Sequence, residues 1–156
     1  MKKNILYFVL IAFPFVYACN SSDKKSDGAS GKKDSLLSEN CYAAVFEKDS
    51  AAMIVKTLAS GEVTGSLLVK YEEKPQNNGT IEGKFSGDTL LVDYRFKTGN
   101  DSSRVYTNPL AFLKKDGKLI MGVGQIETTL GRSYFVKGKP INYEAGKFTF
   151  GEVPCK

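Results

Sequence analysis

Three carboxylates stand close together in this chain: Glu82, Asp88 and Asp93, within the stretch GTIEGKFSGDTLLVDYRF from Gly79 to Phe96. Two acids facing one cleft at a set separation can hydrolyse a glycosidic bond, one as general acid and the other as base or nucleophile. Glu82 and Asp93 fall on the polar faces of two strands, where they qualify as cross-strand neighbours. The same placement suits solvated pairs among Glu82, Lys84, Asp93 and Arg95, which contribute little on a surface. The solvated arrangement is the preferred reading, and Asp88 reads as a hairpin-corner residue.

Other chemistries lack their parts. The chain has no His, which removes the usual general base, the commonest metal ligand and any Ser-His-Asp constellation. Gly122-Val123-Gly124 lacks the third Gly and the following helix of a dinucleotide fingerprint, and reads as tight packing. No D-x-D-x-D-G calcium loop is present. The expectation is a non-enzyme without metal or cofactor, a paired-carboxylate hydrolase ranking last. Tyr71, Tyr94, Phe96 and Tyr106 remain as candidate lining of an apolar pocket with phenol handles. A small barrel either fills with side chains or holds one small ligand.

The elements that position these residues are short strands. Ile81 and Phe85 alternate with Glu82 and Lys84. After Ser86-Gly87-Asp88, Leu90, Val92, Tyr94 and Phe96 alternate with Leu91, Asp93 and Arg95. A period of two is the signature of a half-buried strand. The same reading gives strands over Cys41–Glu47, Ala51–Leu58, Val63–Glu72, Arg104–Lys115, Lys118–Glu127, Arg132–Val136 and Lys147–Val153. Polar loops are expected at Glu73–Asn78 and Lys97–Ser103, with Asn78-Gly79 as a turn signal. Pro109 requires an edge or a bulge, and Lys115-Asp116-Gly117 reads as a hairpin turn. Eight or nine short antiparallel strands in a meander predict an all-β fold. An up-and-down, lipocalin-like barrel is expected, because closure removes exposed edges, with a sandwich as the alternative.

Residues 1–18 read as a secretory leader: Lys2 and Lys3, then the apolar run Ile5 to Tyr17, too short to span a bilayer as a settled helix. Residues 19–40 read as a flexible tether, since their Ser, Lys, Asp and Gly cannot bury enough surface to offset ordering entropy. Its Lys24, Lys25, Lys32 and Lys33 balance Asp23, Asp27, Asp34 and Glu39. The globular part is residues 41–156, with 16 Lys/Arg against 13 Asp/Glu. That net +3, without a basic cluster interleaved with aromatics, gives no nucleic-acid footprint. The chain has three Cys. Cys41 and Cys155 bracket the globular part, and outside the cytoplasm such a pair is expected as a disulfide. Without His, neither a metal set nor an activated thiol is in view.

Val16-Tyr17-Ala18-Cys19 resembles the bacterial lipobox, Tyr17 departing from its small-residue preference. The resemblance implies diacylglycerol on the Cys19 sulfur and a fatty acyl group, such as palmitate, on its amino terminus. Several acyl chains give stable anchoring. Further motifs are Cys41-Tyr42, Asp49-Ser50-Ala51, Val63-Thr64-Gly65, Glu73-Lys74, the GT–EG–GDTL–DY–F hairpin, a later Gly-x-Gly and the final Cys. Together they resemble small envelope lipoproteins of Bacteroidota-type bacteria that carry no assigned activity. Lys97-Thr98-Gly99 departs from the Ser-Glu-Gly those relatives often carry there. The resemblance implies an outer-membrane lipoprotein on the periplasmic or surface face, and no catalytic residues. The functional expectation is a membrane-anchored, non-enzymatic binding or accessory module. Its partners would be the bilayer through acylated Cys19 and a small apolar ligand or an envelope protein. The alternative is an interaction or inhibitor protein acting through the Glu73–Asn78 and Lys97–Ser103 loops.

Overall fold

The computed structural model describes residues 34–130 and 132–155. The leader, Cys19 and the tether up to residue 33 lie outside them. The described residues form ten strands: β1 (Leu36–Phe46), β2 (Asp49–Leu58), β3 (Glu62–Lys70), β4 (Asn77–Ser86), β5 (Thr89–Thr98), β6 (Asp101–Lys115), β7 (Lys118–Met121), β8 (Ile126–Thr129), β9 (Arg132–Phe135) and β10 (Thr149–Val153). Eight of them close into an antiparallel barrel in the order β1-β10-β7-β6-β5-β4-β3-β2, while β8 and β9 form a separate two-stranded sheet. The up-and-down barrel is therefore correct, and the sandwich is not.

Alternation decides what faces inward. Leu90, Val92, Tyr94 and Phe96 are buried, whereas Leu91, Asp93 and Arg95 between them are exposed. Met53 and Val55 of β2 and Val63, Leu67 and Val69 of β3 point inward likewise. With Ile81, Phe112, Leu119 and Phe150 they fill the interior as one cluster. Phe112 meets Phe150 edge-on at 5.7 Å, and Phe150 lies 5.9 Å from Phe148. No charged or polar residue is buried among the described residues. Gly83 permits close strand approach on the inward face of β4. A Cβ there would stand 2.0 Å from the Leu91 carbonyl oxygen of β5. The β6–β7 turn puts Asp116 and Gly117 both at positive φ, 50° and 73°, as a two-residue hairpin loop requires.

Cys41 and Cys155 form the expected disulfide, with their Cα atoms 5.2 Å apart. It joins β1 to the chain just beyond β10, where the barrel closes through Cys41–Val153, Tyr42–Glu152 and Ala43–Gly151.

Four boundaries need correction. The end of the tether is strand: Leu36 pairs with Leu58, Glu39 reaches Lys56 at 3.2 Å, and the Ser60 amide donates to the Asp34 carboxylate. This segment is exposed, Leu36 and Leu37 included, yet β2 is long enough to offer it a ladder. Asn78-Gly79 lies within β4, paired with Lys97 and Phe96. The Lys97–Ser103 loop shrinks to Gly99-Asn100, because β5 and β6 continue to Thr98 and Asp101. The strand expected over Lys118–Glu127 stops at Met121. Val123 then bridges to Asn142, and Ile126 begins the β8–β9 arm.

Pro109 obeys its rule. The Ala111 carbonyl accepts from the Gly122 amide on the β7 side. Alternation turns Pro109 to that same side. There β7 reaches only Phe112–Lys115, so the missing N–H breaks no ladder bond.

Candidate functional site

The four aromatic candidates gather at one end of the barrel. Tyr94 stacks on Phe96 at 4.6 Å, and Phe96 stacks on Tyr106 at 5.6 Å. The Tyr94 hydroxyl donates to the Leu67 carbonyl at 2.9 Å. Burial, then the neighbouring Tyr71, pushes the Tyr94 phenol far above its usual value. Burial also raises Tyr71, whose hydroxyl accepts from Asn77. Tyr94 and Phe96 belong to the core cluster, Tyr71 packs against it, and Tyr106 is 44% exposed. The structure brings the set together, but as packed core with an exposed end.

The grooves lie on the outer wall instead. One, of about 640 Å³, is floored by Glu62, Thr64, Glu82, Lys84, Leu91, Asp93 and Pro109 and walled by Tyr134 and Phe135 of β9. A second, of about 340 Å³, is lined by Ile54, Lys56, Thr64, Ser66, Thr80 and Glu82. Both include Thr64 and Glu82, so they meet at that pair and form one open trough. None of the four aromatic candidates lines either part.

Register explains the trough. Lys56, Thr64, Glu82, Asp93 and Pro109 are successive cross-strand partners from β2 to β6. Ile54, Ser66 and Thr80 form the adjoining line. All are on the outward phase of their strands. Threonine and serine at the centre, between longer neighbours, leave the wall low along its middle. The β8–β9 arm supplies the far rim: Arg132 reaches Asp93 at 3.7 Å, and the Tyr134 hydroxyl donates to the Thr129 carbonyl. Tyr134 thus stands as a ring held at the rim, 40% exposed.

The carboxylates behave differently from the expected pairs. Glu82 does stand directly across from Asp93, but Lys84 stands across from Leu91 and Arg95 from Thr80. The cation at Asp93 comes from Arg132 on the arm. Both acids are exposed side by side on an open wall, whereas paired-carboxylate hydrolysis needs them flanking one bond across a cleft. Asp88 occupies the two-residue β4–β5 turn with Gly87. Elsewhere, Glu39, Cys41 and Cys155 bring their ligand atoms within 4.8 Å of one another. The two sulfurs are bonded to each other, which leaves no thiolate for a metal.

No protein-family model, no curated protein and no solved structure matches this chain. The trough escaped sequence reasoning because its residues come from five strands and an arm. The only local signal was the run of small outward residues Thr64, Ser66 and Thr80.

Proposed function

We propose that this chain is an envelope lipoprotein, held to a bilayer by acylated Cys19, whose barrel is a non-enzymatic binding module working from its outer wall. The leader, the Cys that follows it and the polar stretch after that Cys support the anchor. One observation carries the binding side. The interior is filled by fully buried Met53, Leu67, Ile81, Leu90, Phe112 and Phe150, while the recesses lie outside. A filled barrel is a rigid support for a surface. The short β5–β6 turn reduces what loops could contribute and favours the wall. A small apolar ligand inside the barrel fits this packing poorly.

The test is metabolic labelling of expressing bacteria with an alkyne fatty acid, with a photo-crosslinking residue at Ser66 in the trough. The expected result is a labelled protein in the membrane fraction, loss of label in Cys19→Ser, and a crosslinked envelope component. An unlabelled, freely soluble product overturns the anchor. Crosslinking no stronger from Ser66 than from a residue outside the trough overturns the outer-wall assignment.

A further inference from the structure

The trough's make-up narrows what it can hold. Its acids are Glu62, Glu82 and Asp93; its cations are Lys56 and Lys84, with Arg132 at the rim beside Asp93. The signs cancel, so neither a polyanion nor a polycation finds a complementary field. Among the described residues, the acids of the trough do not converge as the Glu39 group does, so they do not form the compact donor set of a metal ion. What remains is a line of hydrogen-bonding groups of both kinds set in mostly apolar surface, with Leu91, Pro109, Leu110 and Phe135 beside them. Carboxylates accept, ammonium groups donate, and the Thr64, Ser66 and Thr80 hydroxyls do either. Two aromatic rings, Tyr134 and Phe135, stand at the end, the Tyr134 hydroxyl tied to the Thr129 carbonyl.

The outline fits the same chemistry. The trough is open and runs across the strands rather than into the barrel. From β2 to β6 it is about 19 Å across, from four gaps of ~4.8 Å. An extended chain can enter at the β2 end and run up to the β8–β9 arm at the β6 end. Glu82 directly opposite Asp93 is a like-charge cross-strand pair, which Arg132 at 3.7 Å offsets on the Asp93 side only. Ligand hydroxyls donating to both carboxylates relieve that opposition. Such local conflicts are expected where a surface binds.

We infer that the trough binds a neutral, polyhydroxylated chain, an uncharged oligosaccharide. Its hydroxyls would lie along Thr64, Thr80, Glu82 and Asp93, and one sugar ring would lie against Tyr134. This inference rests on the outer-wall reading above and adds the ligand's chemical class.

The test takes the purified full-length chain to an array of neutral hexose and N-acetylhexosamine oligosaccharides. Uronic-acid, sulfated and glucosamine oligomers are printed beside them. The best neutral binder is then titrated by calorimetry. The expected result is a neutral binder, weakened about tenfold by Tyr134→Ala, a loss of ~1.4 kcal/mol, and at least as much by Glu82→Gln with Asp93→Asn. Lys137→Ala, away from the trough, should bind as the parent does. Urea midpoints confirm that each variant is folded. The inference is overturned if no neutral oligosaccharide binds, if only charged oligomers bind, or if Tyr134→Ala leaves affinity unchanged. A protein crosslinked at Ser66 without any sugar binding would remove the sugar and leave the outer-wall assignment standing.

Discussion

The β2–β6 wall and the β7–β10 seam close the same barrel by different means. In the wall, β4 and β5 pair without a break from Asn77–Thr98 to Ser86–Thr89, and β2 and β3 pair from Ser50–Lys70 to Thr57–Val63. At the seam, β10 meets β7 only through Thr149–Ile120 and Phe150–Leu119. What the seam lacks in backbone ladder it replaces with aromatic burial and sulfur. Phe148 and Phe150 are buried against each other and against Phe46 and Phe112, and the disulfide fixes Cys155 to β1. A barrel can thus close on a five-residue strand if its inward side chains are large and its end is covalently held. The same difference places the trough on the ladder-rich side, where the backbone is least free to move.

The largest expected effect breaks the seam. Cys41→Ala with Cys155→Ala removes a crosslink between residues 114 apart. In the chain-entropy model this costs about 4–5 kcal/mol, measured by urea denaturation. Native-state hydrogen exchange should rise first at Thr149–Val153, with β4 and β5 protected longest. Equal loss of protection in β10 and β5 would show that the two regions unfold as one unit.

A smaller effect strains the wall. Gly83→Ala sets a Cβ against the Leu91 carbonyl and within 2.7 Å of the Val92 Cα, both backbone. Neither can rotate away, so β4 and β5 must separate, at about 1–3 kcal/mol. Gly87→Ala, in open space at φ 59°, carries only backbone strain of ~1 kcal/mol. Equal destabilisation by the two substitutions would refute close approach at Gly83.

Removing one hydroxyl tests the packed end. Tyr94→Phe deletes the bond to the Leu67 carbonyl and should cost about 1 kcal/mol near neutral pH. Its pH dependence has a definite sign. Burial raises the Tyr94 phenol above the usual 10.0, and Tyr42 and Tyr71 are raised too. Above pH 10 the unfolded chain loses phenol protons that the folded chain keeps, so stability falls as pH rises there. Tyr94→Phe should flatten that fall. Parallel slopes for parent and variant above pH 10 would contradict the burial assigned to Tyr94.

Much of this could be read in the residue order, and for a physical reason. Where one face of a strand is buried and the other wet, the pattern is local, as from Leu90 to Phe96. The same holds for the Asp116-Gly117 turn. The disulfide was legible from the expected envelope location and from count, since one pair remained once Cys19 was read as the lipid-bearing residue. The beginning of β1 was hidden because Leu36–Glu39 is exposed on both faces, apolar and polar residues alike, so no alternation separates strand from tether. The break after Met121 was hidden because Gly122 and Gly124 owe their identity to distant side chains. A Cβ on Gly122 would meet Ile141 and Tyr143, and one on Gly124 would meet Phe135. The trough needed register across five strands, which no single segment records.

The β8–β9 arm supplies the smallest and most local test. A lone two-stranded ribbon is marginal in water. Here it lies against β6, where Pro109 is buried beside Tyr134 and Phe135 although its phase points outward. Arg132 adds one exposed ion pair to Asp93 at 3.7 Å. Arg132→Ala should therefore change global stability by no more than about 0.5 kcal/mol. Its effect should appear instead as faster hydrogen exchange confined to Ile126–Phe135. Raising the salt concentration should reproduce part of that change in the parent chain, because the pair is open to screening. If exchange in the arm stays unchanged, apolar contact at Pro109 holds it without the ion pair. The trough's far rim is then as fixed as its floor.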